Sequence, residues 1–327
     1  MKIFIVFIFS IFFIGCSSNK NIELNSYPSW YLNPIISDDS YLYGTGEDYT
    51  LEAAKNSALA SIASSLSTTI NSTFSKIESS NTLNEVETVN SSIINQINAD
   101  SADIEFTHFK ILKNETASNK FVVLVQVSRY KLFTFYKNKL DSLFDSIYND
   151  LKDVNKKDPL TKASIYSRNL DLVPNITSLI TISKSINNHF NTKPYFDKII
   201  SLQTSMNKAI SKVKVSISAD SNSTFFINTI KEALNDIDIS IVDSNKANSF
   251  VHIKNNFLND ELFGFKISKA NLTLSYSNLN KNIISTNNIS ISGKSRYNHL
   301  KAKENCAIVL RKKIHQDDIF YILGLKR

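Results

Sequence analysis

An apolar run at the N-terminus indicates the cellular compartment in which the rest of this chain folds. Residues 3–14, between Lys2 and Gly15, consist almost entirely of Ile, Phe and Val. The run is too short for a membrane-spanning helix, which needs about 20 apolar residues. One basic residue, a short apolar core and a small residue at its end are typical of a secretion signal. We therefore expect residues 1–15 to be a signal peptide and the remaining chain to fold after export.

The residues around Cys16 resemble a bacterial lipobox. Gly15 precedes Cys16 and Ser17 follows it, although Phe13 stands where Leu is usual. The resemblance implies a diacylglyceryl group on the Cys16 sulfur, cleavage before Cys16 and acylation of the new amine; several acyl chains anchor a protein stably where one would be marginal. Ser17, in place of Asp, implies sorting to the outer membrane. Residues 16–27 would be a flexible tether. The alternative is an uncleaved anchor with an incidental cysteine.

The cysteine content and the net charge limit what kind of protein the chain after the signal peptide can be. Cys16 and Cys306 are the only cysteines in 327 residues, so a lipidated Cys16 leaves no partner for a disulfide, and Cys306 is expected to pack as a small apolar residue. Two or three domains are expected from the length. Removing the signal with its single lysine leaves 36 basic and 30 acidic residues, a formal charge of +6. This mild, dispersed excess does not favour nucleic acid, but it suits acidic lipids or cell-wall carboxylates.

The first folded part, residues 28–137, begins with a predicted strand and a long helix. The strand covers Tyr41–Asp48 and ends in a glycine-bearing turn. Thr50 is a suitable cap for the helix that follows. The apolar residues of this helix recur every three to four positions, which predicts one buried face: they are Ala54, Ala58, Ile62, Leu66, Ile70, Phe74 and Ile77. The small alanines would let the helix lie close to a sheet.

A predicted hairpin completes this domain. A weaker helical segment is expected at about Asn84–Ile97. Strands are then predicted at 104–112 and 121–127, separated by the polar turn 113–119. A helix from Arg129 follows. The order of strand, helix, strand, strand and helix predicts a small α+β layer domain with helices on one face of an antiparallel sheet.

Several short patterns in this region resemble the Lpp-twenty family of outer-membrane lipoproteins. They are Pro28-x-Trp30, Tyr43-Gly-x-Gly46-Glu47, the helix opening Leu51-Glu-Ala-Ala-Lys55, Ala58-x-x-x-Ile62 and the hairpin near 121–127. The same order is similar to the N-terminal domain of flagellar assembly proteins that ring the outer-membrane part of the motor. The resemblance covers about residues 28–137. It implies a non-catalytic outer-membrane lipoprotein, in some cases a component of a periplasmic assembly.

Residues 138–210 carry helical periodicity alone. Pro159, Pro174 and Pro194 are expected to divide this segment into four helices. They would pack as a bundle or arm. At about 1.5 Å per residue, a straight run of roughly twenty residues would be long enough to separate two globular ends.

Residues 211–327 return to an α+β pattern. Alternation predicts strands at 213–218, 239–242, 249–255, 266–276 and 283–293. Helices are expected at 225–235 and 297–314, with a final apolar segment at 319–323. The sequence as a whole therefore predicts a multi-domain α+β protein: an N-terminal α+β layer domain, a central all-helical segment and a C-terminal α+β domain with an antiparallel or mixed sheet.

Reaction chemistry has little support in the sequence. The five histidines, His108, His189, His252, His299 and His315, lack the paired spacing of metal ligands. The Gly44-Thr-Gly46 stretch lacks the third glycine of a dinucleotide loop, and the Glu47 that follows would repel a phosphate. Asp317 and Asp318 are neighbours whose side chains point apart in regular structure. We expect no catalytic residues, no cofactor and no metal.

One helix near the C-terminus is strongly basic. Its cations are Lys301, Lys303, Arg311, Lys312 and Lys313. They form either a solvated face, favoured by the negative end of the helix dipole, or a binding patch for an acidic lipid or glycan.

The sequence therefore predicts a non-catalytic lipoprotein held to the membrane through its N-terminal lipid. It would act as a structural or interaction scaffold at the periplasmic face of the outer membrane, with other envelope or flagellar proteins as partners. The alternative is an envelope module that binds a lipid or a glycan.

Overall fold

The computed structural model describes residues 27–79, 90–102 and 104–326. The predicted signal peptide, Cys16 and nearly all of the predicted tether lie outside the described residues, as does the first part of the weak helix, residues 84–89. The described chain forms two compact units. The first contains the residues up to Ser64 together with Phe106–Ser128, and the second contains Ser65–Glu105 and everything from Arg129 onwards. The predicted α+β fold class is confirmed.

The first unit is built on a three-stranded antiparallel sheet. Its strands are β1 (Tyr41–Asp48), β2 (Phe109–Ala117) and β3 (Lys120–Ser128), and β3 lies in the centre. A short helix, α1 (Ser29–Leu32), contacts β3, and the long helix α2 (Leu51–Ser79) begins in this unit. The side-chain oxygen of Thr50 accepts a hydrogen bond from the Ala53 amide at 3.1 Å, which confirms the predicted cap.

Glycines on β1 set the distance between helix and sheet in the first unit. A Cβ atom at Gly44 would overlap the Ala58 carbonyl oxygen, and one at Gly46 would overlap backbone atoms of Ala54 and Ala58. Both alanines are fully buried. The structure therefore confirms that small residues let the helix lie close to the sheet, and it explains the Gly-x-Gly pattern by packing.

The hairpin differs from its prediction in where its first strand lies. The strand β2 runs through residues 113–117, which were expected to form the turn, and residues 104–108 precede it. The turn itself is only Ser118 and Asn119, both with positive φ. Because β2 is an exposed edge strand, polar residues can continue it, and the turn predicted at 113–119 is wrong.

The second unit combines a helical part with a five-stranded sheet. Its helices are α3 (Asn90–Ala102), α4 (Arg129–Leu151), α5 (Pro159–Leu170), α6 (Val173–Ile186), α7 (Lys193–Ile210), α8 (Thr224–Asn235), α9 (His299–Asp317) and α10 (Ile319–Ile322). The three prolines lie in the first turns of α5, α6 and α7, where a missing amide hydrogen is tolerated. The predicted division into helices is therefore confirmed. The most enclosed of them is α6, which packs against α3 and α4.

The sheet of the second unit is mixed. Its strands, in spatial order, are β5 (Ser240–Ile241), β4 (Lys214–Ala219), β6 (Ser249–Leu262), β7 (Phe265–Asn278) and β8 (Ile283–Ser295). The strand β4 pairs in parallel with β5 and β6, and the remaining pairs are antiparallel. The strand β6 continues seven residues beyond its predicted end, because its polar half lies in an exposed hairpin and shows no apolar alternation.

A buried hydrogen bond joins the helical part to this sheet. The hydroxyl of Tyr276, a fully buried residue of β7, donates to the carboxylate of Asp158. Asp158 is also the N-cap of α5, where it accepts from the Thr161 amide at 3.0 Å. Desolvation and the neighbouring carboxylate raise the pKa of Tyr276, so the hydroxyl stays protonated and keeps donating. The helices and the C-terminal sheet thus lie in one unit; the domain boundaries predicted at 137 and 210 stay predictions.

The helix α9 covers the sheet of the second unit. A Cβ atom at Gly293 of β8 would overlap the Ala302 carbonyl oxygen. Cys306 lies in this contact, fully buried, with its thiol 3.1 Å from the Ser268 carbonyl oxygen. Burial raises the pKa of the Cys306 thiol, which makes it a poor nucleophile. The expected packing role of Cys306 is confirmed.

Candidate functional site

Within the described residues, potential reactive groups do not converge on one place. No group of three or more His, Cys, Asp or Glu side chains there is arranged to hold a metal ion. The adjacent carboxylates face different partners: Asp317 pairs with Lys313 at 2.6 Å, whereas Asp318 caps α10 by accepting from the Phe320 amide at 2.8 Å. These acids therefore have structural roles. None of the helices that the structure describes is both long and apolar enough to cross a membrane.

The patterns at the start of the first unit meet around Glu47. Its carboxylate accepts hydrogen bonds from the Tyr27 and Tyr31 hydroxyls and from the Lys120 ammonium group, the last at 3.0 Å. The Tyr27 and Tyr31 rings stack with a centroid separation of 5.2 Å. The hydrogen bond from Tyr27, followed by that from Lys120, lowers the pKa of Glu47. Glu47 thus ties the segment that enters the domain to the hairpin.

Trp30 makes a second attachment to the hairpin. Its indole nitrogen donates to Glu115 of β2 at 2.7 Å, and the Lys113 ammonium group lies 5.8 Å from the ring centroid. Its ring meets Tyr31 edge-on at a centroid distance of 6.1 Å. Tyr41 and Tyr43 form a separate pair. The aromatic residues therefore serve packing within the first unit.

The candidate interaction surface of the first unit is the outer edge of β2. This strand pairs with β3 on one side, and on its other side it pairs with no strand of the described chain. Phe109, Ile111 and Leu112 are all exposed, Ile111 to 39%. A β-bulge lies between Ile111 and Lys113. The edge therefore offers unused backbone hydrogen-bonding groups beside apolar side chains, a combination that can accept another strand.

A second exposed apolar surface is the β6–β7 turn. Phe263 is 90% exposed and has a φ of 52°, a left-handed conformation that bulky residues rarely adopt. Leu258 and Leu262 nearby are also exposed. Sequence reasoning missed this tip because β6 was ended too early. The apolar Leu262-Phe263-Gly264-Phe265 run between two polar stretches was the available signal.

The predicted basic patch lies on α9, but most of its charges are matched. Lys301 pairs with Glu304 at 2.7 Å, Lys313 with Asp317 at 2.6 Å and Arg311 with Glu232 of α8. The Lys303 ammonium group lies 4.9 Å from the centroid of the Phe257 ring. Lys312 is exposed. The pairing reduces the local positive potential, and binding of an acidic ligand at this helix stays a prediction.

A known family model matches one stretch of the chain. Residues 28–128 match the family model of the LPP20 lipoproteins, which confirms the resemblance. The match ends where the first unit ends. No curated protein matches the chain.

Three solved structures are similar to this chain. A secreted protein from the human pathogen Helicobacter pylori shows 18% identity over 84% of this chain and 97% of its own, with a TM-score of 0.46. A minor lipoprotein from Acinetobacter baumannii shows 11% identity over 33% of this chain and 92% of its own, with a TM-score of 0.28. A lipoprotein from Neisseria meningitidis shows 8% identity over 32% of this chain and 99% of its own, with a TM-score of 0.23.

Proposed function

We propose that this protein is a non-catalytic, lipid-anchored scaffold at the periplasmic face of the outer membrane, where it binds other proteins of an envelope or flagellar assembly. The observation that carries the proposal is the open apolar edge of β2, inside the segment that matches the LPP20 lipoproteins. The lipobox-like residues around Cys16 support the anchor.

The edge of β2 is suited to selective pairing. Adding a strand there would satisfy backbone groups along the edge and bury Phe109 and Ile111 in the same step. Lys110 and Lys113 on the same strand, together with the bulge, oppose indiscriminate pairing with other sheet edges. A partner strand would need apolar side chains opposite Phe109 and Ile111 and a shape that follows the bulge.

The anchor is tested by metabolic labelling with a radioactive fatty acid. Cys16→Ser should remove the label and release the protein from the outer-membrane fraction. Cys306→Ser is the matched control and should keep the label, because Cys306 is buried against β7 and β8. Labelling that persists in Cys16→Ser would overturn the proposed anchor.

The scaffold role is tested by site-specific photo-crosslinking in intact cells. A photoreactive phenylalanine analogue at Ile111 should give defined adducts with one or a few envelope proteins. Its matched control is the same analogue at Ile36, an exposed isoleucine of the first unit outside the sheet. Phe109→Asp should reduce the adducts at Ile111. Equal adducts at both positions, or recovery of the protein alone, would count against a role for this edge.

A further inference from the structure

A narrow groove crosses the helical part of the second unit. It has a volume of about 380 Å³ and lies between α4 and α7. The buried residues Phe144 and Ile147 line its α4 side, and Leu202 lines its α7 side. Tyr166 of α5, which packs closely against α7, also lines it, as do the exposed side chains of Asp145 and Tyr148. The volume lies within the range of small-molecule pockets, about 300–1,000 Å³.

Aromatic side chains cluster at the end of the groove nearest the start of α7. There the Phe144 and Tyr195 rings meet with a centroid distance of 5.6 Å. The Lys198 ammonium group lies 4.8 Å from the Phe144 centroid and 5.6 Å from the Tyr195 centroid. The Tyr195 hydroxyl donates to Asp141 at 2.9 Å, which fixes the ring.

A basic cavity adjoins the groove. This second cavity, of about 430 Å³, meets the groove at Tyr166 and Ser205, which line both. Its lining contains four lysines and no carboxylate: Lys157, Lys162, Lys208 and Lys212.

The four lysines of this cavity keep their charge unmatched. None of them forms an ion pair with a carboxylate in the part of the chain that the structure describes, and Lys162 donates to the neutral Asn155 side chain at 2.6 Å. The nearby acids are engaged elsewhere: Asp153 pairs with Lys156 at 2.6 Å, and Asp158 binds Tyr276. This differs from α9, where carboxylates neutralise three of five cations. A bound anion would neutralise the positive charge of these four lysines.

The lining of the groove indicates the kind of molecule. The α7 residues that line it run from Lys198 to Ser205, about 10 Å along the helix axis. Apolar side chains of α4 and α7 would contact an alkyl chain laid along this axis, and the lysines of the adjoining cavity are complementary in charge to an anionic head group.

We propose that this groove binds a single-chain amphiphile with an anionic head group, its alkyl chain between α4 and α7 and its phosphate or carboxylate among Lys157, Lys162, Lys208 and Lys212. This ligand site is separate from the scaffold role of β2, and its test does not depend on that role. Burial of the chain would provide affinity, and the unpaired lysines would select anionic over neutral amphiphiles.

The test uses the full chain in nanodiscs of phosphatidylcholine, whose head group carries no net charge. The probe is an alkyl phosphate with a diazirine at the end of its chain, and labelled peptides are identified by mass spectrometry. The label should map to the α4 and α7 residues of the groove. Dodecyl phosphate should compete, dodecanol should compete at least tenfold more weakly, and inorganic phosphate should not compete.

Two variants separate the chain site from the head-group site. Ser205→Trp fills the junction of the two cavities and should reduce labelling at least tenfold, while Thr204→Trp, on the exposed face of α7, should leave it unchanged. Lys208→Gln combined with Lys212→Gln should remove the preference for dodecyl phosphate over dodecanol. The matched control, Lys231→Gln with Lys246→Gln, changes the same charge outside the groove and should keep that preference.

Three results would overturn the inference. They are labelling that Ser205→Trp leaves unchanged, competition by inorganic phosphate alone, and displacement of the probe by an acidic peptide but not by dodecyl phosphate. If Ser205→Trp loses its cooperative melting transition, the lysine variants decide, because they lie on the exposed surface. An unchanged preference for dodecyl phosphate in those variants would contradict the assigned head-group site.

Discussion

In the first unit α2 lies on the sheet over Gly44 and Gly46, and in the second unit α9 lies on the sheet over Gly293. Both contacts bring helix backbone against strand backbone, with alanine on the helix side. The first contact has two glycines on one strand, and the second has one. Close helix–sheet packing therefore arises in both units from the same pair of small residue types, although Gly293 and α9 lie outside the segment that matches the LPP20 family.

The largest loss of stability is expected from a substitution on β1, where two glycines let α2 pack close to the sheet. Gly46→Ala would drive a Cβ atom into backbone atoms of Ala54 and Ala58, which a rotamer change cannot relieve. We expect the free energy of unfolding of the first unit to fall by about 3 kcal/mol. Denaturant unfolding followed by Trp30 fluorescence measures it. Thr45→Ala, on the opposite face of the same strand, is the control, and an equal loss there would contradict the packing role.

The second contact involves a single glycine. Gly293→Ala would drive a Cβ atom into the Ala302 carbonyl oxygen and the Cys306 amide nitrogen of α9. We expect a loss of about 2 kcal/mol, measured by thermal unfolding with circular dichroism at the α-helical signal. Ser292→Ala, whose side chain is exposed on the same strand, should change little. A larger loss of stability in Gly293→Ala than in Gly46→Ala would contradict the expected order of the two contacts.

The second unit also depends on a buried hydrogen bond. Tyr276→Phe removes the donor to Asp158 and leaves that carboxylate with the Thr161 amide. We expect a loss of about 1.5 kcal/mol, since a hydrogen bond to a charged group contributes more than a neutral one. Tyr297→Phe, a change at an exposed tyrosine, serves as the control in the same unfolding experiment. Equal stability of the two variants would show that the bond contributes nothing measurable.

The smallest effect is a pH dependence confined to the first unit. Hydrogen bonds from Tyr27, Lys120 and Tyr31 lower the pKa of Glu47 below its ordinary value of 4.5. A lowered carboxylate pKa contributes stability above that ordinary value, and the contribution disappears as the pH falls through the folded-state pKa. Below pH 4.5 the segment around Tyr27 should therefore exchange its amide hydrogens faster, after correction for the intrinsic rate.

Glu47→Gln provides the control for this pH dependence. Without a titrating carboxylate at position 47, the corrected exchange of the Tyr27 segment should show no transition below pH 4.5. A transition of the same size in this variant would assign the effect to another group.

The parts of the fold that sequence could predict are those governed by local patterns. Thr50 and the regular apolar spacing after it predict α2, and the alternation in β7 and β8 predicts those strands, because one face of each element is buried. The polar C-terminal parts of β2 and β6 lie at exposed surfaces, where a strand and a loop tolerate polar residues equally well. Periodicity therefore carries no information there.

The groove could not be predicted for a different reason. Its walls come from α4, α5 and α7, and Phe144 and Leu202 are far apart in sequence. Each helix alone shows an ordinary amphipathic pattern, and Lys208 and Lys212 look like any solvated lysines. Only the packing of α5 between the other two helices brings these residues around two adjoining cavities. The α9 lysines, in contrast, were conspicuous in sequence but proved to be largely paired.

The division of the chain into units has a consequence for gene truncation. A stop codon after Ser128 would retain the whole segment that matches the LPP20 family. It would also retain residues 65–105, which belong to the second unit, while deleting α6, the helix against which α3 packs. In the shortened product the buried residues Ile93 and Ile97 of α3 would lose this partner. The segment that matches the family is therefore not one that can be cut out at its ends, and excision of the first unit requires a new connection between Ser64 and Phe106.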